Sequence, residues 1–250
     1  MQKVLGMVGA FVINLDRSRD RWAAIASQAE RVGMRIDRIA GIDGGKIASG
    51  QRSAFNERRF ICRNGRPILP GEYGCYLAHI KALETFLESG YDSAIIMEDD
   101  VELVENLTSR ASAILAAVPS ADLVKLLNHR SRFFRGVAVT PYGDAVGRCL
   151  HGPQGSAACY LVTRHGARKL LSRIQQIEFP YDVTLERGWK TGLNIFTVRE
   201  NVVSLSERAL SSQIASRAEY RAVKKRGIKK MRTHLVRIFE YARRIQYALS

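Results

Sequence analysis

Three consecutive carboxylates follow a short apolar run in the middle of the chain. Residues 94–97 have the length and composition of a buried strand, and Glu98, Asp99 and Asp100 come directly after it. Adjacent acids repel one another unless solvent or a cation neutralises them, and carboxylate oxygens suit Mg²⁺ or Mn²⁺ beside substrate phosphates. Ligands of open α/β sheets bind outside the carboxyl ends of strands. The stretch therefore predicts either a divalent-cation site or an acidic turn that binds nothing.

A further carboxylate, Asp182, follows Phe179-Pro180-Tyr181 and opens a predicted helix. A carboxylate within reach of a substrate hydroxyl can serve as a general base. Aspartate is equally common as a plain helix N-cap, where its side chain only satisfies the backbone. The sequence leaves both roles open for Asp182.

Strands and helices alternate through most of the chain, which predicts an α/β fold. The apolar start is too short to span a bilayer and lacks a convincing cleavage site, so we interpret it as a first buried strand. Residues 130–151 are difficult to place. The other expected elements are helix 19–32, strand 35–39, a long loop at 46–70, helix 72–89, the strand before the carboxylates, helix 106–118, strands 123–127 and 157–163, and helix 166–174.

The positive charge of the chain is concentrated at its C-terminus. The formal net charge is +15, and residues 217–250 contain eleven Lys and Arg against two Glu, a net +9. Apolar residues at three- and four-residue steps in this segment predict a basic amphipathic helix. The sequence leaves three partners open for this helix: an anionic membrane surface, a protein surface (its own domain or another protein), and nucleic acid. We divide the chain into a domain at 1–212 and a helical tail at 213–250.

Four segments resemble those of glycosyltransferase family 25, which includes lipooligosaccharide galactosyltransferases and domains of collagen-modifying enzymes. The third and fourth are similar to the family patterns G-E-x-G-C-x-x-S-H and hydrophobic-E-D-D, and they are specific because they occur together at the expected separation. Ala78 stands where the family has a serine. The four segments are residues 12–21 (VINLDRSRDR), 38–44 (RIAGIDG), 71–79 (GEYGCYLAH) and 95–101 (IIMEDDV).

The resemblance implies a GT-A-like fold: a nucleotide-binding α/β sandwich with a mostly parallel mixed sheet, followed here by the basic C-terminal helical tail. It implies inverting, metal-dependent transfer of a hexose, galactose in the first place, from a UDP-hexose donor. The implied acceptor is a lipid-linked saccharide in lipooligosaccharide or lipopolysaccharide biosynthesis, and the implied cofactor is Mn²⁺ or Mg²⁺. The expected location is cytoplasmic, at the inner face of the cytoplasmic membrane.

The resemblance also gives roles to individual residues. Asp100 and Glu98 are the expected cation ligands, Asp182 is the expected general base, and His79 is a second catalytic candidate. Arginines that follow the first strand could face phosphates, or they could lie on a solvated face. The residues expected to contact the donor are Asn14, Arg17, Arg21, Asp43, Glu72, Glu98 and Asp99.

Two other function classes remain. A pI near 10.0 suggests a nucleic-acid-binding protein, but much of the charge is confined to the tail and no nucleic-acid motif is found. The second alternative is an inactive relative that binds only a partner or a membrane. The retained E-D-D motif favours an enzyme, whereas Ala78 keeps the inactive alternative open. The four cysteines form no C-x-x-C pair, which argues against a zinc site.

Overall fold

An eight-stranded mixed sheet organises the protein. The computed structural model describes residues 6–206 and 231–250. The strand order is β2-β1-β3-β8-β5-β9-β7-β6, and a separate two-stranded ribbon pairs β10 with β4. The strands are β1 Val8–Asn14, β2 Asp37–Ala40, β3 Ser93–Glu98, β4 Val101–Glu102, β5 Leu123–Lys125, β6 Phe134–Val139, β7 Ala145–Cys149, β8 Cys159–Thr163, β9 Ile195–Val198 and β10 Ser204–Leu205.

Helices cover both faces of the sheet. Phe86 and Leu83 of one helix face a core that also contains Tyr76 and Tyr160, whereas Ile25 and Ile114 belong to a second core on the opposite face. The helices are α1 Arg19–Arg31, α2 Glu57–Asn64, α3 Pro70–Glu88, α4 Leu107–Ala117, α5 Arg164–Arg173, α6 Tyr181–Leu185, α7 Gly188–Thr191 and α8 Met231–Leu249.

The strand directions bring three strand ends together. β1 is parallel to both β2 and β3, with Asn14 opposite Ala40 and Ile13 opposite Glu98. Because β8 and β7 run against their neighbours, six of the eight strands point the same way. The predicted α/β fold with a mixed sheet is confirmed. The carboxyl ends of β1, β2 and β3 therefore lie at one edge, where ligands of such sheets bind.

A close backbone contact fixes the turn after β2 against the start of α3. A Cβ atom on Gly74 would lie 2.2 Å from the Ile42 carbonyl oxygen, and one on Gly44 would lie 1.9 Å from the Pro70 oxygen. Only residues without a side chain allow this approach. The contact sets the turn of Asp43 across from the first residues of α3.

One sequence expectation is wrong, and one segment that the sequence left unplaced has a definite structure. The segment 46–70, expected as a loop, contains α2: the Asn56 side chain accepts from the Arg59 amide at its start, and Gly65 ends it with φ of 71°. An N-cap asparagine and a C-cap glycine are ordinary signals for the two ends of a helix, and a search for long apolar periodicity does not detect them. The segment 130–151 forms the β6–β7 hairpin, whose outer strand is largely exposed and so lacks a clear apolar alternation.

The helix expected in the tail is present from Met231 to Leu249 and packs on the domain. Glu240 accepts two hydrogen bonds from Arg187, at 2.6 and 2.9 Å. The Tyr247 hydroxyl donates to the Leu193 carbonyl at 2.8 Å and accepts from the Ile195 amide at 2.6 Å. The proposed boundary at 212/213 and the basic segment 217–230 lie outside the described residues. Among those described, no helix is long and apolar enough to cross a membrane.

Candidate active site

Two cavities meet at the carboxyl end of β3. The first, of about 100 Å³, lies between the turn after β1, the turn after β2 and the start of α3. The second, of about 490 Å³, lies between α3, α6 and the segment before β8. Cys75, Glu98 and Asp100 line both cavities. A ligand spanning the two would therefore pass directly over the acidic cluster.

Asp99 is held by neighbouring polar groups. It accepts hydrogen bonds from the Asn14 side-chain amide at 2.7 Å and from the Arg21 guanidinium at 3.0 Å. Asn14 is 1% exposed, and it also donates to the Ser18 carbonyl at 3.0 Å and accepts from Arg38 at 3.0 Å. Asn14 therefore lies behind Asp99 and orients it, whereas Asp99 and Arg21 line the first cavity.

Asp100 has the properties expected of a cation ligand. Its Oδ1 atom is buried without a hydrogen-bond partner among the described residues, and its Oδ2 atom lies 3.7 Å from Arg21. Burial and the neighbouring Glu98 raise the pKa of Asp100 to about 7, although Arg21 opposes this effect. A buried carboxylate oxygen that lacks a donor and faces a second carboxylate is well suited to a divalent cation. Oxygen donors of this kind match Mn²⁺ or Mg²⁺, with Asp100 and Glu98 as the holding residues.

A chain of buried polar groups holds Glu98 from behind. His79 Nε2 lies 3.4 Å from Glu98 Oε1, and His79 Nδ1 lies 3.3 Å from the Tyr160 hydroxyl. The Tyr160 hydroxyl in turn lies 3.0 Å from that of Tyr181, whose ring stacks on His79 at 4.2 Å. His79 is 0% exposed. His79, predicted as a catalytic residue, therefore lies behind Glu98 and contacts its carboxylate.

Sequence reasoning missed the role of Cys75. Its sulfur lies 3.8 Å from Glu98 Oε1. Cys75, His79 and Glu98 each offer one potential metal-ligand atom, and these three atoms lie within 4.8 Å of one another. Burial, with Glu98 second, raises the pKa of the Cys75 thiol well above its usual value, so the thiol is neutral in the metal-free protein. The i, i+4 spacing of Cys75 and His79 on α3 was the available signal.

The remaining donor-site candidates divide between the two cavities. Arg17 and Asp43 form an ion pair across the first cavity, and Asp43 also accepts from the Gly45 amide at 3.1 Å. Glu72 lies elsewhere. It accepts from Arg66 at 2.5 and 2.6 Å and from the Leu69 amide at 3.0 Å, and it lines the second cavity. The structure therefore brings Arg17, Arg21, Asp43, Glu98 and Asp99 together and leaves Asn14 and Glu72 outside the first cavity.

Asp182 lies in the second cavity, in the first turn of α6. It accepts a hydrogen bond from the Val183 amide at 2.8 Å. Burial, with Glu186 second, raises the pKa of Asp182 to about 6, while Lys125 opposes the shift. A carboxylate with a pKa near 6 is ionised at neutral pH and is more basic than an ordinary aspartate.

A buried ionic network supports this part of the site. Glu186 is ion-paired with Lys125 at 3.0 Å and with Arg244 of α8 at 2.9 Å. Lys125 also donates to the Gly155 carbonyl at 2.8 Å. These cations together lower the pKa of Glu186 despite its burial, so its negative charge is retained behind Asp182. No sequence pattern predicted this network, because its members come from four distant segments.

The chain is similar to one protein family and to distant relatives of known type. A family model described as Glycosyltransferase family 25 (LPS biosynthesis protein) matches residues 7–185. Procollagen galactosyltransferase 2 of Mus musculus is 22% identical over 123 residues, which are 48% of this chain and 20% of that protein. A protein named probable inactive glycosyltransferase 25 family member 3, from Rattus norvegicus, is 25% identical over 184 residues, which are 67% of this chain and 30% of that protein. The chain thus spans less than a third of the length of either relative.

A structural comparison found a Drosophila β-1,4-galactosyltransferase 7 variant solved with manganese, UDP-Gal and xylobiose. The two chains superimpose with a TM-score of 0.39 at 11% identity, covering 88% of this chain and 82% of the other. At this level of similarity, no residue or ligand is carried over.

Proposed function

The chain belongs to glycosyltransferase family 25, and we propose that it is an inverting, metal-dependent hexosyltransferase. The donor would be a UDP-hexose, galactose in the first place, and the acceptor a saccharide of lipooligosaccharide or lipopolysaccharide biosynthesis. One observation carries this proposal. Two cavities meet at Asp100, which has a buried oxygen with no hydrogen-bond partner in the described part of the chain, and the larger cavity also contains a carboxylate of raised pKa, Asp182.

The first cavity would hold the nucleotide diphosphate. Arg17 and Arg21 supply positive charge at its wall, and the 41–44 turn, with a glycine at each end, forms the facing wall. Asp100 and Glu98 would hold the divalent cation, which neutralises the charge of the departing diphosphate. Asn14 and His79 would act through Asp99 and Glu98, respectively, by holding these carboxylates in place.

The second cavity would admit the acceptor. Asp182 would take the proton of the acceptor hydroxyl while the hydroxyl oxygen forms a bond to the anomeric carbon of the donor sugar. The bond between that carbon and the diphosphate oxygen breaks, and its electron pair leaves with UDP. The two cavities meet at Glu98 and Asp100, so an acceptor in the second cavity would approach the anomeric carbon from outside the nucleotide cavity, which favours inversion.

A donor-turnover assay tests this function. UDP-galactose and UDP-glucose are incubated with the protein in Mn²⁺ or EDTA, and release of UDP is measured with and without saccharide acceptor. We expect turnover only with the cation, lost in Asp100→Asn and retained in the control Glu200→Gln, whose side chain is 93% exposed. Turnover that survives both EDTA and Asp100→Asn would contradict the metal assignment. Lack of turnover with every donor would favour an inactive relative.

We further propose that α8 contacts an anionic membrane at the inner face of the cytoplasmic membrane, where a lipid-linked acceptor would be presented. Its docked side carries Thr233, Glu240 and Arg244, and its opposite side is apolar and exposed. Arg232 and Arg243 are exposed beside the apolar stripe. Apolar and basic groups side by side suit an anionic lipid surface. The exposed apolar residues are Met231, Leu235, Ile238, Phe239 and Leu249.

The β6–β7 hairpin extends this surface. Arg135 donates to the Leu249 carbonyl at 3.2 Å, and His151 lies 3.1 Å from the Tyr241 hydroxyl. Phe133, just before the outer strand, and Val139, at its end, are 70% and 68% exposed. Two segments distant in sequence therefore present apolar side chains beside arginines on adjoining surfaces.

Vesicle co-sedimentation tests the membrane proposal. We expect the protein to pellet with phosphatidylglycerol-containing vesicles and much less with phosphatidylcholine vesicles, and to be released at about 1 M salt, where the Debye length is about 3 Å. The double substitution Ile238→Ser, Phe239→Ser should reduce pelleting. The control Met7→Ser, at an exposed site just before β1, should not. Equal pelleting of all variants at both salt concentrations would contradict the proposal.

A further inference from the structure

A third cavity, of about 460 Å³, lies between α2, α8 and the loop at Gly152–Pro153. Four arginines line it: Arg63, Arg130, Arg237 and Arg244. The only carboxylate in its described lining is Glu240, and that side chain is already hydrogen-bonded to Arg187. The cavity wall therefore carries more positive charge than its own carboxylate can balance.

The arginines of this cavity differ in how they are neutralised. Arg63 lies 3.3 Å from Glu178, and Arg244 lies 2.9 Å from Glu186. Arg130 donates to the Pro153 carbonyl at 2.6 Å. Within the described part of the chain, neither Arg130 nor Arg237 has a carboxylate within ion-pair distance. These two charges come from separate elements, the loop after β5 and the helix α8, and face one cavity.

The cavity adjoins the candidate acceptor site. Val183 lines both the second and the third cavity, and the same short segment supplies Pro180 and Asp182 to the second and Phe179 to the third. A saccharide whose reacting hydroxyl lies at Asp182 and which is longer than one sugar would extend past Val183 into the arginine-lined space.

We propose that this third cavity is an acceptor subsite for an anionic group, a phosphomonoester or carboxylate, carried by a sugar next to the one that is glycosylated. The proposal rests on the proposed function, because it assigns the acceptor to the second cavity. Guanidinium groups bind phosphate and carboxylate oxygens through two parallel hydrogen bonds. An anion brought between Arg130 and Arg237 would supply the negatively charged partner that neither has among the described residues. A neutral sugar offers no such compensation.

Binding measurements with a simple probe test the subsite. Glucose 6-phosphate and glucose are titrated into the full chain by calorimetry, for the wild type, Arg237→Gln, Arg130→Gln and the control Arg243→Gln. Arg237 and Arg243 are both exposed on α8, but Arg243 lies outside the cavity. We expect the phosphorylated sugar to bind more tightly than glucose. Each cavity variant should weaken its binding about tenfold, as expected for the loss of a charge-assisted hydrogen bond, while the control leaves it unchanged.

The possible outcomes separate this proposal from its alternatives. Equal binding of glucose and glucose 6-phosphate, no binding of either, or an equal loss in Arg243→Gln would overturn the subsite. If Arg130→Gln and Arg237→Gln reduced sedimentation with phosphatidylglycerol vesicles but left glucose 6-phosphate binding unchanged, the anion would be a lipid headgroup and the proposal would be wrong. Binding of Mn²⁺ and UDP is measured in parallel. Its absence in the wild type would count against the proposed function, whereas its loss only in the cavity variants would count against the subsite.

Discussion

Replacement of Asp182 by asparagine should remove activity and yet stabilise the protein. Burial and Glu186 raise the pKa of this carboxyl from 3.8 to about 6. Such a rise corresponds to roughly 3 kcal/mol of unfavourable free energy for the ionised form, and partial exposure of the side chain reduces the expected value to about 1–2 kcal/mol. Asparagine keeps an acceptor for the Val183 amide, so the local hydrogen bond at 2.8 Å can persist.

The size of the effect depends on pH. A carboxyl with a raised pKa lowers stability by an amount that grows as the pH rises from the unfolded value and is complete above about pH 6. The cost disappears below the unfolded value of 3.8. Urea unfolding of Asp182→Asn should therefore show greater stability than wild type at pH 8 and no difference near pH 3.8. The same residue should make kcat/KM of the wild type fall as the pH drops through about 6.

Transfer by Asp182→Asn should fall on the order of 10²–10⁴-fold, because the variant cannot accept the proton, while UDP binding is unchanged. The exposed-site control Glu200→Gln should alter neither quantity. Near-wild-type transfer by Asp182→Asn would remove this residue from the base role. A variant less stable than wild type at pH 8 would show that the carboxylate is structural and holds the first turn of α6, where it follows the N-cap residue Pro180.

Two further predictions concern the walls of the first cavity. Gly74→Ala should destabilise the protein by about 1–3 kcal/mol in urea unfolding, because its Cβ would lie 2.2 Å from the Ile42 oxygen. The control Gly90→Ala, whose Cβ would have nothing within 4 Å, should not destabilise it, and equal effects of the two substitutions would refute the close-contact argument. Zn²⁺ should inhibit turnover by occupying the cluster at Glu98, and Cys75→Ser should raise the inhibitory concentration; unchanged inhibition would exclude the thiol as a ligand.

The elements around the acidic cluster could be predicted because local sequence determines them. The run before Glu98 is continuously apolar, and the long helix that contains Gly71 has apolar residues at helical spacing. Both appear within a few residues of the expected bounds. Helix α2 and the β6–β7 hairpin could not be predicted in the same way. One is an eight-residue helix specified by its ends, and the other is an exposed edge whose side chains need not alternate.

The roles of individual polar residues were harder to predict than the elements, since they depend on distant partners. Asn14 and Asp99 are 85 residues apart in sequence, and only the parallel pairing of β1 with β3 brings them to hydrogen-bond distance. His79 was a reasonable catalytic candidate, but its burial beneath Tyr181 becomes visible only in the fold. The same is true of Glu72, because its Arg66 partner lies in a segment without a recognisable pattern.

The most direct test of the central claim is the affinity of UDP measured by calorimetry with Mn²⁺ and with EDTA. The proposed site predicts that UDP binds the wild type and Asp182→Asn in Mn²⁺, and that EDTA or Asp100→Asn abolishes the binding. The reason is that Asp100, at the meeting point of the two cavities, has a buried oxygen without a hydrogen-bond partner among residues 6–206 and 231–250. Equal UDP affinity in EDTA and in Mn²⁺, retained in Asp100→Asn, would contradict a cation-assisted donor site at the end of β3.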